Sequence, residues 1–186
     1  MNLTLSWDLF IIVFFAIVIT YTFIIGKNQS VRVIIATYIA IVGVQGIGNL
    51  LQRVVGDTGA STMQMLGISA GFPVLSTTKL LLFVILMILL TIHGGFDVHY
   101  AKESIWVNII ITALCGFATA GLLLCAILTY AVNLPLLDIN MPHVATLSPL
   151  IIQSPLMQLM VLNQDLWFSL PALVLIGAGF AGNSKG

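Results

Sequence analysis

The sequence predicts an all-α fold: a polytopic α-helical integral membrane protein of four or five transmembrane helices, forming one domain over residues 1–186. Three observations predict it. Hydrophobic residues make up 60% of the chain and charged residues only 6%, where a soluble domain carries about a quarter charged residues. Mean hydropathy is +1.15. The apolar residues also gather in runs close to the roughly 20 needed to cross a hydrocarbon core about 30 Å thick. Six Lys and Arg balance six Asp and Glu, so no basic face is offered to phosphates and nucleic acid is excluded as a partner. No polybasic tract is present for anionic headgroups either. The lipid bilayer is the surrounding to which this chain is matched.

The first run, residues 9–25, opens after Trp7 and Asp8 and closes at Gly26, Lys27 and Asn28. Trp7 and Tyr21 place amphipathic rings toward the two interfaces. No Lys or Arg precedes the run, and no small-residue cleavage site follows it before Lys27. It therefore reads as a retained helix and not as a signal peptide. The second span, residues 31–51, follows after a tight turn, which predicts a helical hairpin with the second helix antiparallel beside the first. Ala36, Ala40, Val44 and Gly48 recur at every fourth position, and Gly43 and Gly46 flatten the surface further. Small residues at this spacing let helices approach closely, which matters because lipid supplies no hydrophobic drive between them.

Residues 52–74 change character, with Gly56, Gly59, Gly67 and Gly71 among Ser, Thr and Met, and Pro73 near the end. The segment is too long for a turn and too apolar for a disordered linker, so it is expected to be irregular, as a re-entrant or interface-lying piece. The third span, residues 75–92, is a dense Leu, Ile and Met run that His93, Gly94 and Gly95 bring to an end. The longest run, residues 105–132, measures about 42 Å as a helix and must tilt, kink or protrude. It carries a second small-residue face, with Thr112, Gly116 and Ala120 four apart and Gly121 beside them. Pro135, Pro142, Pro149 and Pro155 forbid one long helix in residues 133–165 and predict a loop with short amphipathic turns. Residues 166–181 form a fifth span containing Pro171, with a helix embedded in one leaflet as the alternative. Counting Lys and Arg beside the spans favours an outside N-terminus, with Lys27, Arg32, Lys102 and Lys185 on the cytoplasmic side against Arg53 and Lys79.

Chemistry-bearing residues are sparse. Cys115 and Cys125 lie on different sides of one predicted helix and read as packing thiols. His93, Asp97, His99 and Glu103 form the densest group of metal-ligand types, yet the glycines between them fix no geometry, and no metal or other cofactor is expected. None of the four clear spans carries an ionisable residue at its centre, where proton-coupled transporters and voltage sensors place one. Gln45, Asn49, Asn108 and Thr112 are candidate polar liners of a pore, with hydrogen bonding between helices as the plainer reading. Nucleophile, phosphate-loop and metalloprotease motifs are absent, so the chain is not expected to be an enzyme. Ala36, Ala40, Gly43, Gly48, Thr112, Gly116, Ala120 and Gly121 are the expected helix-packing or partner-binding residues, the partners being other membrane subunits or further copies of the chain.

One family resemblance accompanies these patterns. Asp8 opens the first helix, Gly26, Lys27 and Arg32 make a glycine-and-basic turn, and a second helix from Val33 to Gly48 follows directly. Leu114, Cys115, Gly116, Phe117, Gly121, Leu122 and Leu123 add a glycine-bearing later helix. In this order of features the chain resembles the CvpA family, bacterial inner-membrane proteins named for colicin V production. The likeness covers residues 5–50 and 105–130. It departs from the family pattern in glycines five apart where the family has four, in the absence of a basic residue between them, and in the segment from Trp167 to Phe180. The resemblance implies a bacterial inner-membrane protein serving secretion or envelope maintenance, and it brings no catalytic residues. The expected role is a non-enzymatic scaffold or accessory subunit of a larger membrane assembly. The alternative is a small homo-oligomeric channel or transporter using residues 52–78 as a re-entrant element.

Overall fold

The computed structural model describes residues 7–65, 72–94, 105–132, 137 and 154–183. Among these residues there are six helices and no strand: α1 (Trp7–Ile25), α2 (Lys27–Met65), α3 (Phe72–His93), α4 (Ile105–Val132), α5 (Pro155–Leu162) and α6 (Gln164–Asn183). α1, the Lys27–Leu50 part of α2 and the Ile105–Ala131 part of α4 are each long and apolar enough to cross a membrane. α5 and α6, bent by 69° at their junction, make a fourth such unit when taken together. The protein is thus an all-α polytopic membrane protein.

α4 is the axis of the bundle. Some 72% of its apolar stretch is buried, against 39% for α2 and 11% for α1. The other five helices all pack on it. Ala118, Ala120, Leu122, Leu124, Cys125 and Ala126 fill the centre, and the alternation of small and large side chains lets α4 be enclosed on several sides at once. Its first turns, residues 105–110, are exposed all round. That is how a run longer than the hydrocarbon core is accommodated: by protrusion from the bundle.

The turn between α1 and α2 is one residue. Gly26 sits at φ +81°. Its N–H closes α1 on the Thr22 carbonyl at 2.9 Å and its own carbonyl accepts the Ser30 N–H of α2 at 3.1 Å. A side chain at this φ would be strained, and glycine is not. α1 and α2 touch each other after this turn, but α1 packs chiefly on α4 and α2 chiefly on α3. α3 runs antiparallel to α2, with Lys79 against Gly48 and Leu86 against Gly43. It ends at His93, as the glycines after it predict, with the Gly94 N–H on the Leu90 carbonyl at 2.9 Å.

Two boundaries differ from the sequence expectation. Residues 52–65 are not irregular; they continue α2 as one helix to Met65, and α3 begins at Phe72. Isolated glycines such as Gly56 and Gly59 cost about 1 kcal/mol each in a helix but leave its hydrogen-bond ladder intact, whereas a proline would not. Only residues 66–71 of the expected re-entrant piece remain, and they lie outside the described residues. Residues 155–162 of the expected loop form α5, with Pro155 at a permitted first-turn position. Of the remainder of that loop, 133–136 and 138–153 lie outside the described residues.

α6 runs antiparallel to α4. Gln164 bonds Thr129, Trp167 packs on Gly121, and Ala178 clusters with Ile111 and Cys115. From Gln164 to Ala178 the helix axis covers about 21 Å, and α6 reaches the length and apolarity of a crossing only together with α5, as a broken span or a re-entrant loop. Pro171 is fully buried inside α6, which continues through it; the sharp bend is at Asn163.

Candidate functional site

The polar chemistry of the bundle gathers at the end where α1 begins and α4 finishes. Ser154 caps α5, its hydroxyl accepting the Met157 N–H at 3.1 Å. The same hydroxyl donates to Asp8 Oδ1 at 2.5 Å, and the Leu156 N–H donates to that oxygen at 3.2 Å. A carboxylate at a helix N-terminus complements the N–H groups left without intrahelical acceptors and the positive end of the dipole. Asp8 therefore fastens the start of α1 to the start of α5. The buried face of α5, Met157, Met160 and Val161, closes over the bundle beneath it.

A second network crosses from α4 to α6. The Gln164 amide, nearly fully buried, donates from Nε2 to Thr129 Oγ1 at 3.1 Å and accepts the Leu137 N–H at Oε1, 3.0 Å away. Thr129 in turn donates to the Cys125 carbonyl at 2.7 Å. Leu137 is held at φ +55°, a left-handed conformation that costs a non-glycine residue roughly 1–2 kcal/mol. The Tyr130 hydroxyl donates to the Ile41 carbonyl at 3.2 Å, and the Tyr38 hydroxyl donates to the Phe168 carbonyl. These bonds tie α2 to both α4 and α6.

Two clefts lined by described residues lie on the flanks of the bundle. One, of about 220 Å³, lies between α1 and α3 over α4. Its Ser and Thr hydroxyls, on Thr22, Ser30, Thr91 and Thr119, each bond a carbonyl one turn back, so apart from the Tyr21 hydroxyl the surface it offers is apolar. The other, of about 620 Å³, lies between α2 and α6 with Leu137 at its wall. Tyr38, Gln45, Asp165, Phe168 and Ser169 line it, which makes it the more polar of the two.

The small residues singled out in the sequence are spent on contacts within the chain. Ala36, Ala40 and Ala120 are fully buried and Thr112 nearly so. Gly43 and Gly48 face α3. A Cβ on Gly116 would lie 3.1 Å from Thr22 Cβ and 3.3 Å from the Ile19 backbone of α1, and one on Gly121 would overlap the Trp167 indole. These positions are engaged in packing between helices of the chain itself. The order of their sensitivity follows from what each would meet. Gly48→Ala meets only the flexible stem of Lys79, whereas Gly116→Ala must move the α1 backbone. Thermal unfolding in detergent should show the larger loss of Tm for Gly116→Ala.

The candidate pore liners Gln45, Asn49 and Asn108 are all on the outside of the bundle, and Gln45 lines the cleft between α2 and α6. Cys115 and Cys125 are free and buried. Among the described residues no group of three or more His, Cys, Asp or Glu is placed to hold a metal; Asp97, His99 and Glu103 lie outside them. Sequence reasoning missed Tyr38, Gln164, Asp165 and Trp167. Asp165 and Gln164 had a readable signal, since a polar pair opening an apolar run marks a helix start. The Ser154–Asp8 bond joins positions too far apart in the chain for any local pattern to show.

Fold and site together define the class: a helical membrane bundle with a filled axis, a capped end and two lateral clefts. Comparison of the chain with protein-family models, with curated proteins and with solved structures gives no match.

Proposed function

We propose that this protein is a non-enzymatic scaffold or accessory subunit of a larger membrane assembly, serving secretion or envelope maintenance in a bacterial inner membrane as the CvpA resemblance implies. The observation that carries the reading is the filled axis. α4 occupies the position where a monomeric pore or an intramembrane active site would run, and its central side chains are buried and packed together. The outward faces of α1 and α3 and the start of α4 are at the same time lined with large apolar side chains, among them Ile17, Ile24, Ile92 and Trp106, surface available to lipid or to neighbouring subunits. With the N-terminus outside, Lys27 and Arg32 at the α1–α2 turn fall on the cytoplasmic side, and the part of α2 beyond Leu50 projects outward with Arg53.

A homo-oligomeric channel is the second reading. It is favoured by Gln45 and Asn49, exposed one turn apart on α2, and no longer uses an irregular 52–65 segment. Extraction in native lipid followed by mass spectrometry of the intact particle separates the two. Stoichiometric foreign subunits are the expected result. A particle made only of copies of this chain, conducting ions or solute in liposomes, would overturn the scaffold reading.

A further inference from the structure

The cleft between α2 and α6 has the composition of a site for an organic cation. Tyr38 and Phe168 contribute aromatic rings from the two facing helices, and the Tyr38 hydroxyl bond to the Phe168 carbonyl holds them in register. Asp165, exposed in the first turn of α6, makes no hydrogen bond or ion pair with the other described residues, and neither does the Gln45 amide across the cleft. Ser169 stands one turn after Asp165 on the same wall. Leu137 completes the wall in its left-handed conformation, pinned there by the buried Gln164. No Lys, Arg or His among the described residues lines the space.

Each feature narrows the ligand. A carboxylate with no cation beside it among the described residues disfavours anions. One carboxylate, one amide and one hydroxyl fall short of the six to eight oxygens a calcium ion takes, and a volume of about 620 Å³ is that of a small-molecule site. Aromatic faces beside a carboxylate are what an ammonium group seeks, since the ring quadrupole and the full negative charge both attract it. The depth agrees as well. Asp165 begins α6, and Gln45 lies just before the end of the apolar part of α2 at Leu50, at the same end of the bundle as Trp7 and Asp8. The ends of apolar helices are where lipid headgroups are met.

We infer that this cleft binds an amphiphile with an ammonium head, the head held by Asp165 against Tyr38 and Phe168 and the tail lying along Ile41 and Val42 toward the bilayer. The ammonium has two sources, the amine headgroup of a phospholipid or a free lipophilic amine. In maltoside micelles, titration calorimetry with decyltrimethylammonium is expected to show saturable binding, and decyl sulfate none. Asp165→Asn should weaken the binding at least tenfold and Asp165→Glu should restore it. Ser169→Lys, at an exposed position, should abolish it by placing a fixed cation in the cleft, with helical circular dichroism unchanged. Native mass spectrometry from nanodiscs of equal phosphatidylethanolamine and phosphatidylglycerol assigns the source: selective retention of the ethanolamine lipid, lost in Asp165→Asn, identifies the lipid. Equal retention of both lipids, with decyltrimethylammonium still bound, identifies the free amine. Equal binding of the cationic and anionic amphiphiles, or Asp165→Asn and Ser169→Lys indistinguishable from the parent, would overturn the assignment.

Discussion

Gly121→Ala is expected to destabilise the protein by about 1–3 kcal/mol, the range for forcing extra volume into a packed core. The added methyl would overlap Cε3 of Trp167 and lie 2.5 Å from its Cζ3, so the indole must leave its seat. It cannot do so freely. Trp167 is enclosed by Phe15 and Phe117, with ring centroids 5.9 and 5.7 Å away, and it anchors α6 to α4 and α1 together. Thermal unfolding in detergent, followed by circular dichroism, measures the loss. The clash also predicts non-additivity: in a Trp167→Leu background the Gly121→Ala change should cost much less, because the two sites share one contact. Gly46→Ala is the contrasting case. A Cβ there meets nothing within 4 Å, so the substitution should stabilise the helix by about 0.5–1 kcal/mol through backbone entropy alone. Equal effects at the two glycines would refute the assignment of Gly121 as the seat of Trp167.

Asp8→Ala is expected to cost about 1.5–3 kcal/mol, the usual worth of hydrogen bonds to a charged group. It strips the acceptor from both the Ser154 hydroxyl and the Leu156 N–H. Ser154→Ala removes the cap itself, a loss of about 0.5–2 kcal/mol. Because one hydroxyl links Asp8 to the cap, the double substitution should fall short of the sum by at least about 0.5 kcal/mol. Hydrogen exchange gives the local reading. Amides of residues 156–160 should lose protection in Asp8→Ala while those in the middle of α4 keep theirs. Uniform loss across both helices would mean that Asp8 supports the whole bundle and not this one junction.

Much of the architecture was legible in the chain itself. The apolar runs gave the crossings of α1, α2 and α4, Gly26 marked the one-residue turn, and His93 with its glycines marked the end of α3. The four-residue spacing of Ala36, Ala40, Val44 and Gly48, and of Thr112, Gly116 and Ala120, pointed to faces that lie against other helices. What the spacing did not announce was the neighbour in each case. Gly48 meets Lys79, Gly116 meets Thr22, and Gly121 meets Trp167. The cleft was less legible still, because Tyr38, Leu137 and Asp165 reach it from three separate segments and only Gln45 had drawn notice as an exposed polar residue.

The difference has a physical cause. Whether a segment enters the bilayer depends on a transfer free energy summed residue by residue along the chain, so sequence alone decides it. Which helices then touch depends on van der Waals fit and a few hydrogen bonds between residues distant in the chain, since lipid is as apolar as the helix faces and favours none of them. Sequence by itself therefore determined that this protein is a bundle of membrane helices with small-residue faces. Only the tertiary structure decided that α4 fills its axis, that α1 packs more on α4 than on α2, and that a carboxylate and two aromatic rings face one cleft.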